Sequence, residues 1–133
     1  MNIEVVVFFA MIFCHLLADF TLQGWLASAK QKSWWKANAP DPLYKFDYIT
    51  ALICHSVMWS IFVMAPLIIC GLFEGRDLGF IWLFLPFNIS WHALIDDLKA
   101  NKGKINLSQD QSFHMLQIIL TWSAWLIERN LAK

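Results

Sequence analysis

The chain has 133 residues and no formal net charge, with 59% of its residues hydrophobic and only 15% charged. Soluble domains are nearer a quarter charged and under half apolar, so this composition indicates a membrane protein whose partner is the lipid bilayer. No basic surface is available for nucleic acid. A single domain is expected at this length.

Four apolar runs predict an all-α domain of four antiparallel transmembrane helices, the fourth of which is long enough only if its helix starts near Asp110. The predicted spans cover residues 3–22, 48–72, 78–95 and 110–127. The first run also resembles a signal peptide, with Ala27-Ser28-Ala29 as a cleavage site. The start Met-Asn-Ile-Glu is not cationic, however, and an ionisable pair interrupts the run, so we expect it to be retained.

Two polar connections, residues 23–47 and 96–109, join the first span to the second and the third to the fourth. Lysines alternating with tryptophans in residues 30–36 predict a short interfacial helix that the prolines at 40 and 42 end. Ser108 is expected to cap the fourth helix. The stretches 30–47 and 97–110 hold seven lysines, which predicts that both connections are cytoplasmic and both termini lie outside the cytoplasm of a bacterial inner membrane.

Three histidine–aspartate pairs have a spacing of four residues, which puts both side chains on one helix face. They are His15 with Asp19, His92 with Asp96 and, in reverse order, Asp110 with His114. Asp97 points about 100° away from Asp96 and is expected to meet solvent.

Because consecutive spans run in opposite directions, the ends that carry these pairs meet in one leaflet, where His55 also lies. Ionisable side chains there cost several kcal/mol when they face lipid, so they should face one another. The candidate ligands of a zinc or other divalent ion are His15, Asp19, His55, His92, Asp96 and His114. They outnumber the ligands of one zinc ion, which leaves open a second ion or indirect roles. The alternative is a metal-free hydrogen-bonded network between helices.

Other polar residues at this end have predicted supporting roles. Asp110 is the candidate general base, and Lys99 either stabilises a developing anion, acts as a counter-ion or is an ordinary interface lysine. Gln23 is expected to orient a ligand or substrate. The other half of the bundle is expected to be apolar, which argues against a path across the bilayer.

A weak internal repeat is also present. A His-x-x-x-Asp motif at the end of one span, a lysine-bearing connection and a histidine in the next span occur twice. The first copy contains His15, Asp19 and His55, and the second contains His92, Asp96 and His114. A two-fold repeat of helix pairs would place the site between the halves.

These motifs resemble a family of small bacterial and phage membrane proteins catalogued as domain of unknown function 3307. The matching elements are His15-Leu-Leu-Ala-Asp19-Phe with Gln23, His55-Ser56, His92-x-x-x-Asp96-x-x-Lys99 and Asp110-Gln111-x-x-His114. The resemblance adds Gln111 to the supporting residues and implies no particular activity. More distantly, the layout is similar to inner-membrane metal-dependent hydrolases of the LexA-binding type, which implies hydrolysis by analogy.

The leading hypothesis is a metal-dependent, zinc-using hydrolase in the cytoplasmic leaflet. Its substrate would be an amide or ester at lipid head-group level, or a small amphipathic metabolite. One alternative is a transporter for a metal ion, a proton or a small solute, in which several copies form a homo-oligomer around the path. Another is a structural or regulatory membrane protein of a bacterium or phage.

Overall fold

The computed structural model describes residues 2–131, and each regular element in that range is helical. The α-helices are α1 (Ile3–Leu16), α2 (Leu26–Ala29), α3 (Lys32–Asn38), α4 (Asp47–Phe73), α5 (Phe80–Ala100) and α6 (Leu107–Leu131). A π-helical turn, Leu17–Thr21, follows α1, and a 3-10 turn, Pro42–Tyr44, precedes α4. The all-α class is confirmed for this part of the chain.

The long helices α5 and α6 continue beyond the predicted spans into polar sequence. Asn106, not Ser108, caps α6: its Oδ1 accepts from the Gln109 N–H, and Gln109 Oε1 accepts from the Asn106 N–H, both at 3.0 Å. This reciprocal pair satisfies backbone donors that the first helical turn leaves free. The expectation for Ser108 was wrong, because Ser108 lies inside the first turn of α6, where its carbonyl accepts from the Ser112 hydroxyl.

The other three long helices pack around α4, which lies between α1 and α5, while α6 contacts α5 and α1. The apolar core of the bundle is built around Trp59, Met64, Leu67 and Trp125, which are almost completely buried. The short helix α2 packs on α4, so that the connection 23–46 lies against the bundle.

The distribution of side chains differs from that in a soluble protein, although an apolar core is present. Among the described residues, large apolar side chains cover the outside, and Phe73 and Trp82 are 89% and 86% exposed. The interior contains histidines, aspartates, amides and an arginine. Soluble proteins bury such groups rarely and expose scattered rather than dominant apolar surface, so this arrangement fits a lipid environment.

Two helical stretches, Ile3–Thr21 and Pro42–Phe73, are long and apolar enough to cross a membrane by length and composition. A signal sequence or the core helix of a soluble protein meets the same criterion. Helices α5 and α6 are long enough but less apolar, because histidine, amide and carboxylate side chains lie along them. Four spans therefore stay a prediction.

Candidate metal centre

The π-helical turn at the end of α1 sets the direction of Asp19. The Leu22 N–H donates to the Leu17 carbonyl at 2.8 Å, five residues back, which makes this turn wider than an α-helical one. The angle between His15 and Asp19 consequently differs from that of an ordinary four-residue pair. Asp19 Oδ1 lies 3.5 Å from His55 Nε2 on α4. π-Helical turns occur frequently at functional sites.

Helices α4 and α5 supply the next three groups. The Nε2 atoms of His55 and His92 are 3.1 Å apart, and Asp96 Oδ2 lies 3.4 Å from the first and 3.7 Å from the second. With Asp19, these residues form a completely buried group of two imidazoles and two carboxylates. One ligand atom from each lies within 4.8 Å of all the others.

Helix α6 adds a second group that shares Asp19 and contains Asp110 and His114. His114 Nε2 lies 3.4 Å from Asp96 Oδ1 and 3.5 Å from Asp110 Oδ1. The two groups are therefore contiguous, with Asp19 common to both and Asp96 in contact with both.

Several of these separations, 3.4–3.5 Å between an imidazole nitrogen and a carboxylate oxygen, are close to those between neighbouring ligands of a metal ion. Zinc bonds of about 2.0–2.1 Å in a tetrahedron put neighbouring ligand atoms about 3.3–3.4 Å apart. The His114 contacts do not form hydrogen bonds: both of its ring nitrogens and Asp110 Oδ1 are buried without a hydrogen-bond partner among the described residues. Leaving such atoms unpaired is costly. The buried His/Asp groups could hold a metal ion, which would satisfy them.

His15 lies beside these groups, with both ring nitrogens engaged. Its Nδ1 accepts from the Trp59 indole N–H, and its Nε2 faces Gln111 Oε1, each at 3.0 Å. The Gln111 amide nitrogen donates to Asp19 Oδ2 at 2.8 Å and to Asp110 Oδ2 at 3.1 Å. His15 therefore carries its proton on Nε2 and orients Gln111 toward the two carboxylates.

This placement separates His15 from its proposed repeat counterpart His92. His92 Nε2 belongs to the ligand group, whereas His15 acts on the carboxylates through Gln111. At the site, the two halves of the chain are thus not equivalent. The ligand role predicted for His15 has no free nitrogen to carry it in this arrangement.

Two lysines contact the carboxylates from outside the cluster. Lys30 Nζ lies 2.5 Å from Asp96 Oδ2, and Lys99 Nζ lies 2.6 Å from Asp110 Oδ2. The sequence pattern did not indicate Lys30, which is 66 residues from its partner. Asn101 positions it: its Nδ2 donates to the Lys30 carbonyl and its Oδ1 accepts from the Lys32 N–H, at 3.1 and 2.7 Å.

A cleft of about 390 Å³ leads from the outside to the two carboxylates Asp19 and Asp96. The other residues that line it are Phe20, Gln23, Ala27, Lys30, Gln31, Lys99 and Ala100. The Gln23 side chain donates to the Asp19 carbonyl, and its Oε1 is buried without a partner in the described range. Asp97 lies outside the cluster and pairs with Lys102 at 2.9 Å.

Aromatic stacking fixes the ring planes of the ligands. The Trp59 ring stacks on His92 with centroids 4.3 Å apart, and His92 stacks on His114 at 4.2 Å. Trp59 was not among the predicted residues, since a tryptophan in an apolar helix carries no distinguishing pattern. Rigid packing of this kind holds donor atoms at fixed distances before an ion binds.

The interior beyond the histidines is polar as well, and the expectation that it would be apolar was wrong. Gln117 donates to Asn88 Oδ1 at 2.8 Å, and Asn88 and Thr121 share a hydrogen bond of 3.1 Å. All three side chains are completely buried between α5 and α6. Such interhelical hydrogen bonds hold α5 and α6 together through their buried faces.

A charge cluster closes the opposite end of the bundle. The Arg129 guanidinium binds Glu74 at 2.5 and 3.1 Å through two nitrogens and Glu4 at 2.5 Å. Arg76 binds the same Glu74 carboxylate at 2.8 Å. These hydrogen bonds, that from Arg129 above all, hold the pKa of Glu74 below its usual value against the opposing effect of partial burial. Helices α1, α4 and α6 are thereby tied together.

Comparison with protein families, with curated proteins and with solved structures finds no match to the chain. The resemblance to domain of unknown function 3307, and the more distant likeness to LexA-binding-type hydrolases, therefore stay predictions based on the motifs.

Proposed function

We propose that this protein is a membrane-embedded, metal-dependent hydrolase. The observation that carries the proposal is the buried group Asp19, His55, His92 and Asp96, whose donor atoms are spaced like the ligands of one ion. Four ionisable side chains turned toward one another inside an apolar bundle cost folding free energy that a bound cation offsets.

Zinc is the proposed ion, because the group offers imidazole nitrogens and carboxylate oxygens and no thiolate. The adjoining group of Asp19, Asp110 and His114 is the proposed place of a second ion. Its shared carboxylate, and the two nitrogens of His114 that have no hydrogen-bond partner among the described residues, support a paired centre.

A divalent ion here supplies a water of lowered pKa and polarises the scissile group. When only the first group holds an ion, Asp110 is the proposed general base, because Lys99 holds its Oδ2 while Oδ1 has no hydrogen-bond partner in the described range. Oδ1 takes the proton as the water oxygen bonds to the reacting centre. The bond to the leaving group then breaks, and the same carboxyl returns the proton to that group.

The proposed setting is a bacterial cytoplasmic membrane, with four spans and the lysine-rich connections on the cytoplasmic side. The apolar exterior supports it. So does the exposure of the most apolar helical segments, since only 28% of the segment within Ile3–Thr21 is buried and 44% of that within Pro42–Phe73. The cleft then opens at head-group level, where an amphipathic ester or amide can reach the carboxylates.

The metal content of purified protein tests the proposal, with Asp96→Asn as the variant and Asp97→Asn as its matched control. We expect at least one zinc per chain in the wild type and in the control. Metal affinity in Asp96→Asn should fall by more than the roughly 10–100-fold typical of residues that only orient ligands. Chelation should lower the free energy of unfolding by about 2.7 kcal/mol when the free metal was at 100 times its dissociation constant.

Wild type without metal, or Asp96→Asn with normal metal affinity, would contradict the proposal. A metal-free wild type that unfolds normally would favour a structural network instead. Turnover of lipid esters and amides in detergent, with and without chelator, then tests for hydrolysis itself.

Transport is the second candidate, and one observation favours it: Asn88, Gln117 and Thr121 continue the polar interior beyond the histidines. Metal or proton uptake into proteoliposomes tests it, with Gln117→Leu as the variant. Uptake that this variant abolishes, in a protein that shows no turnover, would replace hydrolysis by transport.

A further inference from the structure

Lys30 and Lys99 reach the metal centre from two different parts of the chain. The first comes from the connection after α1, and the second from the last turn of α5. Both line the cleft that exposes Asp19 and Asp96, and each ammonium contacts a different carboxylate of the centre. A ligand that enters the cleft therefore meets two cations before it meets the histidines.

The charge of the centre changes sign when metal binds. The three carboxylates and two ammonium groups leave one negative charge if the histidines are neutral. One divalent ion makes the total positive, and a second makes it more so. Each ammonium carries three N–H donors, so it can hold its carboxylate and still donate to an anion in the cleft.

We propose that the substrate of this site is a phosphate ester. The inference rests on the proposed hydrolase function and narrows it. A phosphate monoester has three non-bridging oxygens, enough to contact both ammonium groups and the metal at once, and a diester has two, whereas a carboxyl ester offers one carbonyl oxygen. Lysines are regular phosphate ligands, and cationic groups stabilise the charge that spreads over these oxygens during transfer.

The reaction consumes one water. Its oxygen bonds to phosphorus, the phosphorus–oxygen bond to the alcohol breaks, and Asp110 passes the proton from the water to the departing alkoxide. The products are phosphate, or a phosphate monoester from a diester, and the free alcohol. No oxidant, reductant or further reactant is required.

Binding of inorganic phosphate to the zinc-loaded protein in detergent micelles, followed by calorimetry, tests the assignment without turnover. Lys30→Gln and Lys99→Gln should each weaken phosphate binding roughly tenfold or more, because each removes a charge-assisted hydrogen bond. Lys102→Gln is the matched control, since Lys102 pairs with Asp97 outside the cleft. It should bind phosphate as the wild type does, and all three variants should keep their zinc.

Turnover of two phosphomonoesters, a short-chain phosphatidic acid in mixed micelles and soluble nitrophenyl phosphate, identifies the source of the phosphate group. Preference for either supports the class, the first indicating a lipid head group and the second a soluble metabolite. Zinc-loaded protein that binds no phosphate, or that hydrolyses only a carboxyl ester or amide, overturns this inference and leaves the hydrolase proposal standing. Absence of zinc overturns both.

Discussion

The two ends of the bundle bury charge in opposite ways. At the Arg129 end, each carboxylate oxygen that contacts the guanidinium does so at 2.5–3.1 Å, and two nitrogens grip Glu74 as a fork. At the His114 end, carboxylates and imidazoles lie 3.4–3.5 Å apart without hydrogen-bond geometry. The charged atoms of the Arg129 end are hydrogen-bonded to one another, whereas Asp110 Oδ1 and both His114 nitrogens lack a hydrogen-bond partner among the described residues, although Lys99 and Gln111 bond the other Asp110 oxygen.

This difference separates a structural role from a binding role. Bidentate arginine–carboxylate pairs are directional and nearly complete by themselves, so they stabilise the fold without a ligand. Buried polar atoms without a hydrogen-bond partner destabilise the fold, and in the proposed function a bound metal ion satisfies them. Changes at the Arg129 end should therefore affect unfolding, and changes at the His114 end should affect metal.

The largest effect is expected at the Arg129 end. Arg129→Met leaves the partly exposed Glu4 and Glu74 carboxylates without their shared cation, although Arg76 still pairs with Glu74, and should lower the free energy of unfolding by about 2 kcal/mol, the order of a lost hydrogen bond to a charged group. Denaturant titration in detergent measures it. Metal content should stay that of the wild type. A variant of normal stability, or one that has lost metal, would contradict the assignment of a structural role to the Arg129 end and a metal-binding role to the His114 end.

A smaller effect should follow from the tautomer of His15. Trp59→Phe keeps an aromatic ring over His92 but removes the indole donor to His15 Nδ1, so the proton of His15 is no longer fixed on Nε2. Gln111 then loses its orientation, and metal affinity should fall roughly tenfold, as for other groups that orient ligands.

Trp122→Phe provides the matched control for this change, because the Trp122 indole donates to the Glu4 carbonyl at the Arg129 end. Its metal affinity should equal that of the wild type. Equal losses in both variants would mean that tryptophan removal acts through general packing and not through His15.

The smallest effect concerns pH. The pKa of Glu74 is lower in the folded protein than its ordinary value of 4.5. The stabilisation by its ionised form is therefore fully present above about pH 4.5 and is lost as pH falls through the lower folded pKa. Glu74→Gln should be less stable than the wild type at pH 7, by about 1 kcal/mol, and the difference should shrink in acid. A difference that does not change between pH 7 and pH 3 would contradict the ion-pair assignment.

The site was most predictable from the sequence where a four-residue spacing on one helix combines with the alternating direction of consecutive helices. Four-residue spacing put His92 beside Asp96, and the antiparallel direction of α4 to α6 brought His55 and His114 to the same end. The sequence did not indicate the single wider turn after Leu16 that reorients Asp19, nor that Trp59 and Gln111 engage both nitrogens of His15. Lys30 was missed because its approach depends on a hydrogen bond from Asn101 across the bundle.

The polar half of the interior shows a second limit of periodic patterns. Asn88, Gln117 and Thr121 are isolated among apolar neighbours in sequence and become a network only when α5 and α6 pack together. Arg129 likewise finds its partners on α1 and at the end of α4. Interactions of this kind depend on the relative rotation and depth of helices, which the apolar runs alone leave undetermined.

The hydrogen bonds of Asn101 determine where the chain can tolerate insertions and deletions. One amide holds the backbone on both sides of Gln31, so the distance along the chain from Asp19 to Lys30 is matched to the distance across the cleft. A residue inserted or deleted between 23 and 30 would withdraw the ammonium from Asp96. Between 39 and 46 the backbone has no such attachment to α5 in the described structure, and homologues should vary in length there.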